Sequence, residues 1–234
     1  MHVERMPELP EVETTLRALR PRLLGQVLVG AQVRQPKLRW PVTKSLAKQS
    51  HNQMIQAVSR RGKYLMVQCD SGGLLIHLGM SGHLRWHQQP LVVWGKHDHV
   101  ILALADGSCV CFHDPRRFGA MLWQQGLVQE HRLLAHLGVE PLGSKFTGAW
   151  LYEYTRGVKR PIKQVLMDQK VVVGVGNIYA QEALFAAGIL PSKSGCDVAL
   201  EACDALVKAV RRVLRAAIKA GGSSLQDYYA PDGG

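Results

Sequence analysis

Two neighbouring residues near the start of the chain, Pro7 and Glu8, are of types that could carry out covalent chemistry. A proline at a chain start offers a secondary amine, which can attack an electrophilic carbon and form an iminium. The Glu8 carboxylate beside it is placed to move protons. This chemistry needs a free Pro7 nitrogen. It therefore requires that translation begins at Met6, or that processing removes residues 1–6, which we treat as a leader.

A lysine and three bulky residues on loops could assist such a reaction. Lys63 follows a glycine where a strand is predicted to begin, so it is either a surface charge or a group that protonates or orients a reacting sugar. Met80 lies in a tight turn between glycines, and Arg116 and Phe118 share a loop bounded by proline and glycine. Side chains of this kind on loops suit a wedge that fills the gap left when a nucleotide is extruded from a duplex.

The glycine-rich segment 171–180 allows two interpretations. It resembles a dinucleotide-binding fingerprint, but Tyr179 stands where the third glycine belongs and the preceding segment is predicted to be helical. We reject that interpretation. The segment instead predicts a tight turn between two helices, with Asn177 opening the second helix and the glycines letting the backbone approach a phosphate.

No metal site is predicted. His97, Asp98 and His99 have metal-like spacing, but no third ligand is evident nearby, and a phosphate contact by His97 fits the basic sequence better. The five cysteines include no C-x-x-C pair, and their odd number without a secretion signal predicts reduced, mostly buried thiols.

The charge balance predicts a polyanionic partner. Lysines and arginines number 29 against 18 acidic residues, giving a net charge of +11. The basic residues occur in local clusters, each of which could neutralise phosphates. The sequence has no run of 18 apolar residues and no signal peptide, so we expect a soluble intracellular protein without a membrane span.

Hydrophobic periodicity predicts an α+β protein. Residues 10–20 are predicted to form a helix that Pro21 stops, and short β-like runs between 26 and 128 predict an antiparallel sandwich or barrel, with Asp106-Gly107 as a hairpin turn. Helices are then predicted near 147–156, 161–169, 177–187 and 197–220. We therefore expect a catalytic β-sandwich domain over 7–140, a linker over 141–146 and an all-α domain over 147–234.

These stretches together resemble the bacterial formamidopyrimidine-DNA glycosylases of the Fpg/Nei superfamily. The resemblance is carried by PELPEVET, RRGKYL, HLGMSG, KHDHV, DPRRFGA, RPIK, DQK, VGVGNIYA and, at residues 221–225, GGSSL. It implies an N-terminal helix with an antiparallel β-sandwich, then a helix–two-turn–helix DNA-binding domain and a C-terminal zinc finger. It also implies a bacterial enzyme of the cytoplasm, associated with the nucleoid, that acts on double-stranded DNA containing oxidised bases. We expect a monomer, because neither half of the sequence shows an uncovered long apolar stripe.

The resemblance also implies residue roles. Pro7 would be the Schiff-base nucleophile that attacks the sugar C1′, Glu8 the acid/base that assists ring opening, and Lys63 a residue that helps strand cleavage. Met80, Arg116 and Phe118 would fill the vacated space. The residues placed along the DNA backbone would be His97, Arg116, Lys159, Lys163 and Asn177.

The sequence departs from this pattern at both ends. Residues 1–6 precede Pro7, and the chain stops at Gly234, where the family continues into a lesion-capping loop and a four-cysteine zinc finger. No cofactor is therefore identifiable. One alternative is a truncated, catalytically impaired DNA-binding remnant. The other is an endonuclease VIII-type glycosylase for oxidised pyrimidines. Members of that group begin with a sequence like Pro-Glu-Gly-Pro, whereas this chain has Pro7-Glu8-Leu9-Pro10, which favours the group that acts on oxidised purines.

Overall fold

The computed structural model describes residues 7–222, so the predicted leader and the predicted end of the helical domain lie outside the described residues. Backbone contacts divide the chain into two compact units. Among the described residues, the β unit comprises Pro7 and Glu11–His131, and the helical unit comprises Glu8–Pro10 and residues 132–222. The domain and linker boundaries at residues 140 and 146 stay a prediction.

The β unit contains eight strands in one antiparallel sheet of order β5-β7-β6-β1-β2-β3-β4-β8. The strands are β1 Val27–Val33, β2 Gln53–Arg61, β3 Tyr64–Cys69, β4 Gly72–His77, β5 His83–His87, β6 Asp98–Leu104, β7 Cys109–His113 and β8 Ala120–Gln125. The β1–β2 pairing is short and joins two four-stranded halves. Apolar side chains from both halves belong to one core, as a sandwich requires.

The β-like runs predicted at residues 27–29, 64–67, 74–76, 100–104 and 109–112 all lie in strands, and the predicted hairpin is confirmed. β6 and β7 pair on either side of Asp106-Gly107, where Gly107 has a φ of +86°. The Leu104 N–H donates to the Ser108 carbonyl at 2.9 Å and closes the turn. Strands β2, β5 and β8 were not predicted.

The first helix, α1, covers Leu9–Leu23 and continues through Pro21, so the prediction that Pro21 ends it is wrong. A proline this close to a helix end removes a single backbone hydrogen bond. Leu23, two residues later, is buried in the core of the β unit together with Leu16 and Leu19. That burial offsets the lost bond, and the helix ends before Gly25, which has a φ of +79°. A four-residue helix, α2 Leu46–Gln49, lies between β1 and β2.

The helical unit confirms the four predicted helices with small shifts at their ends. They are α3 Gly148–Thr155, α4 Ile162–Met167, α5 Asn177–Ala186 and α6 Leu200–Lys219. Thr147 caps α3 by accepting the Trp150 N–H at 3.1 Å. One face of α6 is buried in a core shared with α3 and α5. Between residues 7 and 222, no helix is long and apolar enough to cross a membrane.

Candidate active site

The Glu8 carboxylate is fixed by backbone N–H groups at the start of α5. It accepts hydrogen bonds from Gly176 at 2.7 Å, Ile178 at 2.9 Å and Tyr179 at 3.4 Å. The first N–H groups of a helix have no partner within the helix and carry partial positive charge, so they bind an anion. Glu8 is 1% exposed. The helical unit therefore holds an oriented carboxylate one peptide bond from Pro7.

The glycines of the 171–180 segment make room for this arrangement. A Cβ atom on Gly176 would lie 2.5 Å from the Glu8 Cδ, and one on Gly174 would lie 2.7 Å from the Leu9 Cβ. Gly174 also has a φ of +82°, and its carbonyl accepts the Leu9 N–H at 3.0 Å. The predicted turn and the start of α5 at Asn177 are confirmed. The space that the glycines leave is occupied by Glu8 and Leu9, and a phosphate contact stays a prediction.

Gln169 supports the same turn, and the sequence analysis named it only within the DQK motif, without a role. Its Oε1 accepts the Gly174 N–H at 2.7 Å, and its Nε2 donates to the carbonyls of Val175 at 3.0 Å and Met167 at 3.1 Å. Gln169 thus fixes the backbone immediately before the N–H groups that bind Glu8. A glutamine after α4 carries no periodic signal, so only the folded structure reveals its role.

The predicted wedge residues lie on two adjacent loops of the β unit. Met80 belongs to the turn between β4 and β5, and Phe118, which is 44% exposed, belongs to the loop between β7 and β8. The two loops touch at Gly79, where a Cβ would overlap with the Phe118 carbonyl carbon. The Arg116 guanidinium carbon lies 5.0 Å from the centre of the Phe118 ring. Met80, Arg116 and Phe118 are therefore brought together.

An open depression lies beside these loops. Its lining consists of Leu38, Arg39, His77, Gly79, Met80, Arg117 and Phe118. Lys63 lies in the turn between β2 and β3, after Gly62, which has a φ of +56°. Burial, and then the charges of Arg39 and Lys63, lower the pKa of His77 to about 4.

His77 is a neutral acceptor in this depression. Its Nδ1 accepts the Gly79 N–H at 3.0 Å, which it can do only when that nitrogen carries no proton. Its ring also packs against Tyr64, with 4.9 Å between ring centres. The lowered pKa and the hydrogen bond agree, because both favour the uncharged ring.

His97 is half-buried just before β6, and its ring meets the edge of the His113 ring at 5.8 Å between centres. Its neighbours are used within the protein, since Asp98 binds His113 Nδ1 at 2.7 Å and His99 Nε2 donates to a carbonyl. Among residues 7–222, no three His, Cys, Asp or Glu side chains are placed to hold a metal ion.

The cysteines do not fit a four-cysteine zinc site. Cys69, Cys109 and Cys111 are buried in the β unit, Cys203 is buried in the helical unit and Cys196 is exposed. Burial raises the pKa of the Cys69 thiol to about 12, which leaves it protonated. We therefore derive no chemical step through zinc.

The remaining predicted DNA contacts belong to the helical unit. Lys163 donates to the Gln181 side chain at 2.8 Å, and Asn177 is exposed one turn before Gln181 on α5. Asn177 and Gln181 therefore share one face of α5, and Lys163, on α4, binds to that face through Gln181. Lys159 is exposed, whereas its neighbour Arg160 pairs with Asp168 at 2.8 Å.

Comparison with known families identifies both halves of the chain. Residues 6–121 match the formamidopyrimidine-DNA glycosylase N-terminal domain, and residues 137–229 match the formamidopyrimidine-DNA glycosylase H2TH domain.

Curated relatives extend the match over almost the whole chain. The formamidopyrimidine-DNA glycosylase of Acidithiobacillus ferrooxidans (strain ATCC 53993 / BNL-5-31) is 52% identical over 98% of this chain and 84% of its own length. That of Alcanivorax borkumensis is 50% identical over 97% of this chain and 84% of its own length.

Solved structures agree. The Lactococcus lactis Fpg in complex with an abasic site containing DNA is 33% identical, with a TM-score of 0.86 over 97% of this chain and 84% of that one. The L. lactis Fpg in complex with a Fapy-dG containing DNA is 33% identical, with a TM-score of 0.85 over 94% of this chain and 83% of that one. The chain belongs to the formamidopyrimidine-DNA glycosylase family, and it is a DNA glycosylase.

Proposed function

We propose that this chain is a bifunctional DNA glycosylase and lyase that excises oxidised purines, such as 8-oxoguanine and formamidopyrimidines, from duplex DNA. The observation that carries the proposal is the Glu8 carboxylate, held by three backbone N–H groups beside Pro7. An oriented carboxylate next to a secondary amine is the pair that Schiff-base chemistry on a sugar needs.

In the proposed reaction, the Pro7 nitrogen attacks the sugar C1′ of the damaged nucleotide as the bond from C1′ to the base breaks. The nitrogen then loses its proton and forms an iminium as the sugar ring opens, and Glu8 handles the proton transfers that ring opening needs. Elimination at the 3′ phosphate and then at the 5′ phosphate follows and leaves a one-nucleotide gap. Lys63 assists strand cleavage.

The remaining residues would hold and deform the duplex. Met80, Arg116 and Phe118 would fill the space that the extruded nucleotide leaves, with Arg116 facing the widowed base. His97, Arg116, Lys159, Lys163 and Asn177 would lie along the DNA backbone. Half or more of protein–DNA hydrogen bonds go to phosphate and sugar, and such contacts set the register of the protein.

We assign oxidised purines over oxidised pyrimidines for two reasons. The sequence Pro7-Glu8-Leu9-Pro10 differs from the Pro-Glu-Gly-Pro start that is typical of the endonuclease VIII-type enzymes. In addition, the L. lactis protein to which this chain is similar forms a complex with DNA that contains Fapy-dG. We also propose that the protein acts as a monomer in the cytoplasm, in association with the nucleoid, and needs no membrane.

The proposal is tested with protein whose intact mass shows that it begins at Pro7. Duplexes carrying 8-oxoguanine, a formamidopyrimidine or an oxidised pyrimidine are incubated with it under single-turnover conditions. We expect faster excision of the two purine lesions and products with a phosphate on both sides of a one-nucleotide gap. Faster excision of the pyrimidine would assign the endonuclease VIII-type activity instead. Salt-sensitive binding without nicking would identify a DNA-binding protein that lacks chemistry.

Lys63 has its own test. We expect Lys63→Ala to reduce strand nicking at least tenfold more than it reduces duplex binding, about 1.4 kcal/mol of transition-state stabilisation. Rates are measured by gel assay and affinities by fluorescence anisotropy at one salt concentration. An equal loss of nicking and binding would remove the catalytic role of Lys63.

A further inference from the structure

Asp114 is a buried carboxylate between the two loops that carry the proposed wedge. It is 0% exposed, and it lies at the start of the loop between β7 and β8. Its Oδ1 accepts the Ser81 hydroxyl at 2.7 Å, and its Oδ2 accepts the Gly119 N–H at 2.8 Å. One oxygen thus binds the Met80 turn and the other binds the far end of the Phe118 loop.

Ser81 extends this connection to Arg116. Its hydroxyl oxygen accepts the Arg116 N–H at 3.1 Å while its proton is donated to Asp114. A continuous chain of hydrogen bonds therefore runs from the backbone of one wedge residue, through the turn that carries another, to the buried carboxylate. The backbone of Arg116 cannot shift without breaking a bond that belongs to the Met80 turn.

The main chain of Asp114 fixes the loop from below. Its carbonyl accepts the His99 Nε2–H at 2.7 Å and the Arg117 N–H at 3.2 Å, and its N–H donates to the His97 carbonyl at 3.0 Å. Arg117 has a φ of +56°, a conformation that a residue with a side chain adopts only when its surroundings hold it there. The bonds around Asp114 supply that support.

The chemistry at this position calls for a carboxylate. Both side-chain oxygens of Asp114 face donors, one O–H and one N–H, and an ionised carboxylate is the side chain that only accepts. Hydrogen bonds to a charged acceptor are about twice as strong as neutral ones, which suits a loop that has to resist a stacked base pair. An asparagine would turn an NH2 group toward one of the two donors.

We propose that Asp114 is a positioning residue that locks the Met80 turn and the Arg116–Phe118 loop into a single rigid wedge. The inference rests on the proposed function, because it assigns Asp114 to the step in which the nucleotide is extruded. When the two loops are already ordered in the free protein, less of the binding free energy is lost in ordering them. Without the hydrogen bonds of Asp114, inserting the wedge into the duplex requires more free energy. The loss of rate should therefore be largest for substrates in which a paired base must be unstacked.

The test compares two substrates with the full chain, starting at Pro7. One duplex carries a paired oxidised purine and the other an abasic site, which has no base to extrude. Ser81→Ala removes the link between the loops and leaves Asp114 in place. Ser71→Ala is the matched control, since it removes a hydroxyl bound to Gln53 at 2.8 Å at the opposite end of β4.

We expect Ser81→Ala to lower the excision rate of the paired lesion about tenfold and cleavage at the abasic site less than threefold. Asp114→Asn should change the ratio of the two rates in the same direction, because its amide can satisfy only one of the two donors. 2-Aminopurine opposite the lesion should fluoresce less strongly in complexes of both variants, since its stacking is less disrupted. Ser71→Ala should match the unmodified chain in all three measurements.

Two results would overturn the inference. The first is an equal loss of reaction rate on both substrates. A folding defect would produce the same equal loss, because it lowers only the fraction of active protein. The second is behaviour of Ser81→Ala and Asp114→Asn that matches Ser71→Ala. An unmodified chain that acts on neither substrate would instead refute the proposed function, so the two failures are distinguishable.

Discussion

Replacing Glu8 by glutamine tests the site through stability, independently of any substrate. The carboxylate accepts three N–H groups, two at Oε2 and one at Oε1. A glutamine in the same position keeps one acceptor oxygen, so its NH2 group must face a donor. The lower-cost orientation keeps the bonds from Gly176 and Tyr179 and places the NH2 group against the Ile178 N–H.

The expected cost follows from those bonds. A hydrogen bond to a charged group contributes about 1.5–3 kcal/mol, and a buried donor left unpaired costs about 1–3 kcal/mol. A neutral amide is easier to bury than a carboxylate, which offsets part of the sum. We therefore expect Glu8→Gln to destabilise the start of α5 by about 2 kcal/mol, which corresponds to about 30-fold more frequent local opening.

Amide hydrogen exchange of Gly176, Ile178 and Tyr179 measures that opening directly. The control is Glu153→Gln in α3, because Glu153 is 66% exposed and its contact with Arg156 is 3.7 Å long. Such a pair contributes little, so exchange should be unchanged in the control. Exchange at the three amides of Glu8→Gln that matches the control would refute the anchoring of the carboxylate.

Three further predictions concern the surroundings of the site. The pKa of His77 is lowered to about 4 in the folded chain, so the unfolded chain binds more protons than the folded chain between pH ~6.5 and ~4. The free energy of unfolding should therefore fall by up to ~3 kcal/mol as the pH drops through that window. His77→Asn should flatten this part of the pH–stability curve in urea titrations while keeping an acceptor for Gly79, and an unchanged slope would contradict the assignment. Gly79→Ala should lower the free energy of unfolding by more than ~2 kcal/mol, because its new Cβ would overlap with the Phe118 carbonyl carbon. Gly107→Ala has open space around its Cβ and should lower that free energy by only ~1 kcal/mol, from backbone strain. Equal urea midpoints for the two variants would argue against contact between the two loops. Gln169→Ala should lower the free energy of unfolding by ~2 kcal/mol and speed amide exchange at residues 174–176. The control is Gln164→Ala, because Gln164 is exposed. Amide exchange in Gln169→Ala that is no faster than in this control would remove the supporting role of Gln169.

Local patterns in the sequence predicted the elements whose signals are local. The β6–β7 hairpin follows from Asp106-Gly107, and the start of α5 follows from the glycines before Asn177. Strand β2 was missed because its buried positions do not alternate. Strand β5 was missed because its sequence, His83–His87, is mostly polar and lies at the sheet edge. Periodicity has no signal for such strands.

The contacts that hold Glu8 and Asp114 in place were missed for a different reason. Glu8 meets its donors 168 to 171 residues later in the chain, and Asp114 meets Ser81 33 residues earlier. Contacts of this separation depend on the completed fold, so no window along the sequence contains both partners. The residue types at Pro7, Glu8 and Lys63 suggested chemistry, but the groups that hold Glu8 in place became visible only in the structure.

The central claim is that the Pro7 nitrogen forms the covalent bond to the sugar. Borohydride trapping on duplex DNA containing an abasic site or 8-oxoguanine, followed by digestion and mass spectrometry of the adduct, locates that bond. The account predicts an adduct on the Pro7 nitrogen of chains that begin at Pro7, and no adduct on chains that retain residues 1–6. An adduct on Lys63, or trapping by chains that still begin at Met1, would contradict it.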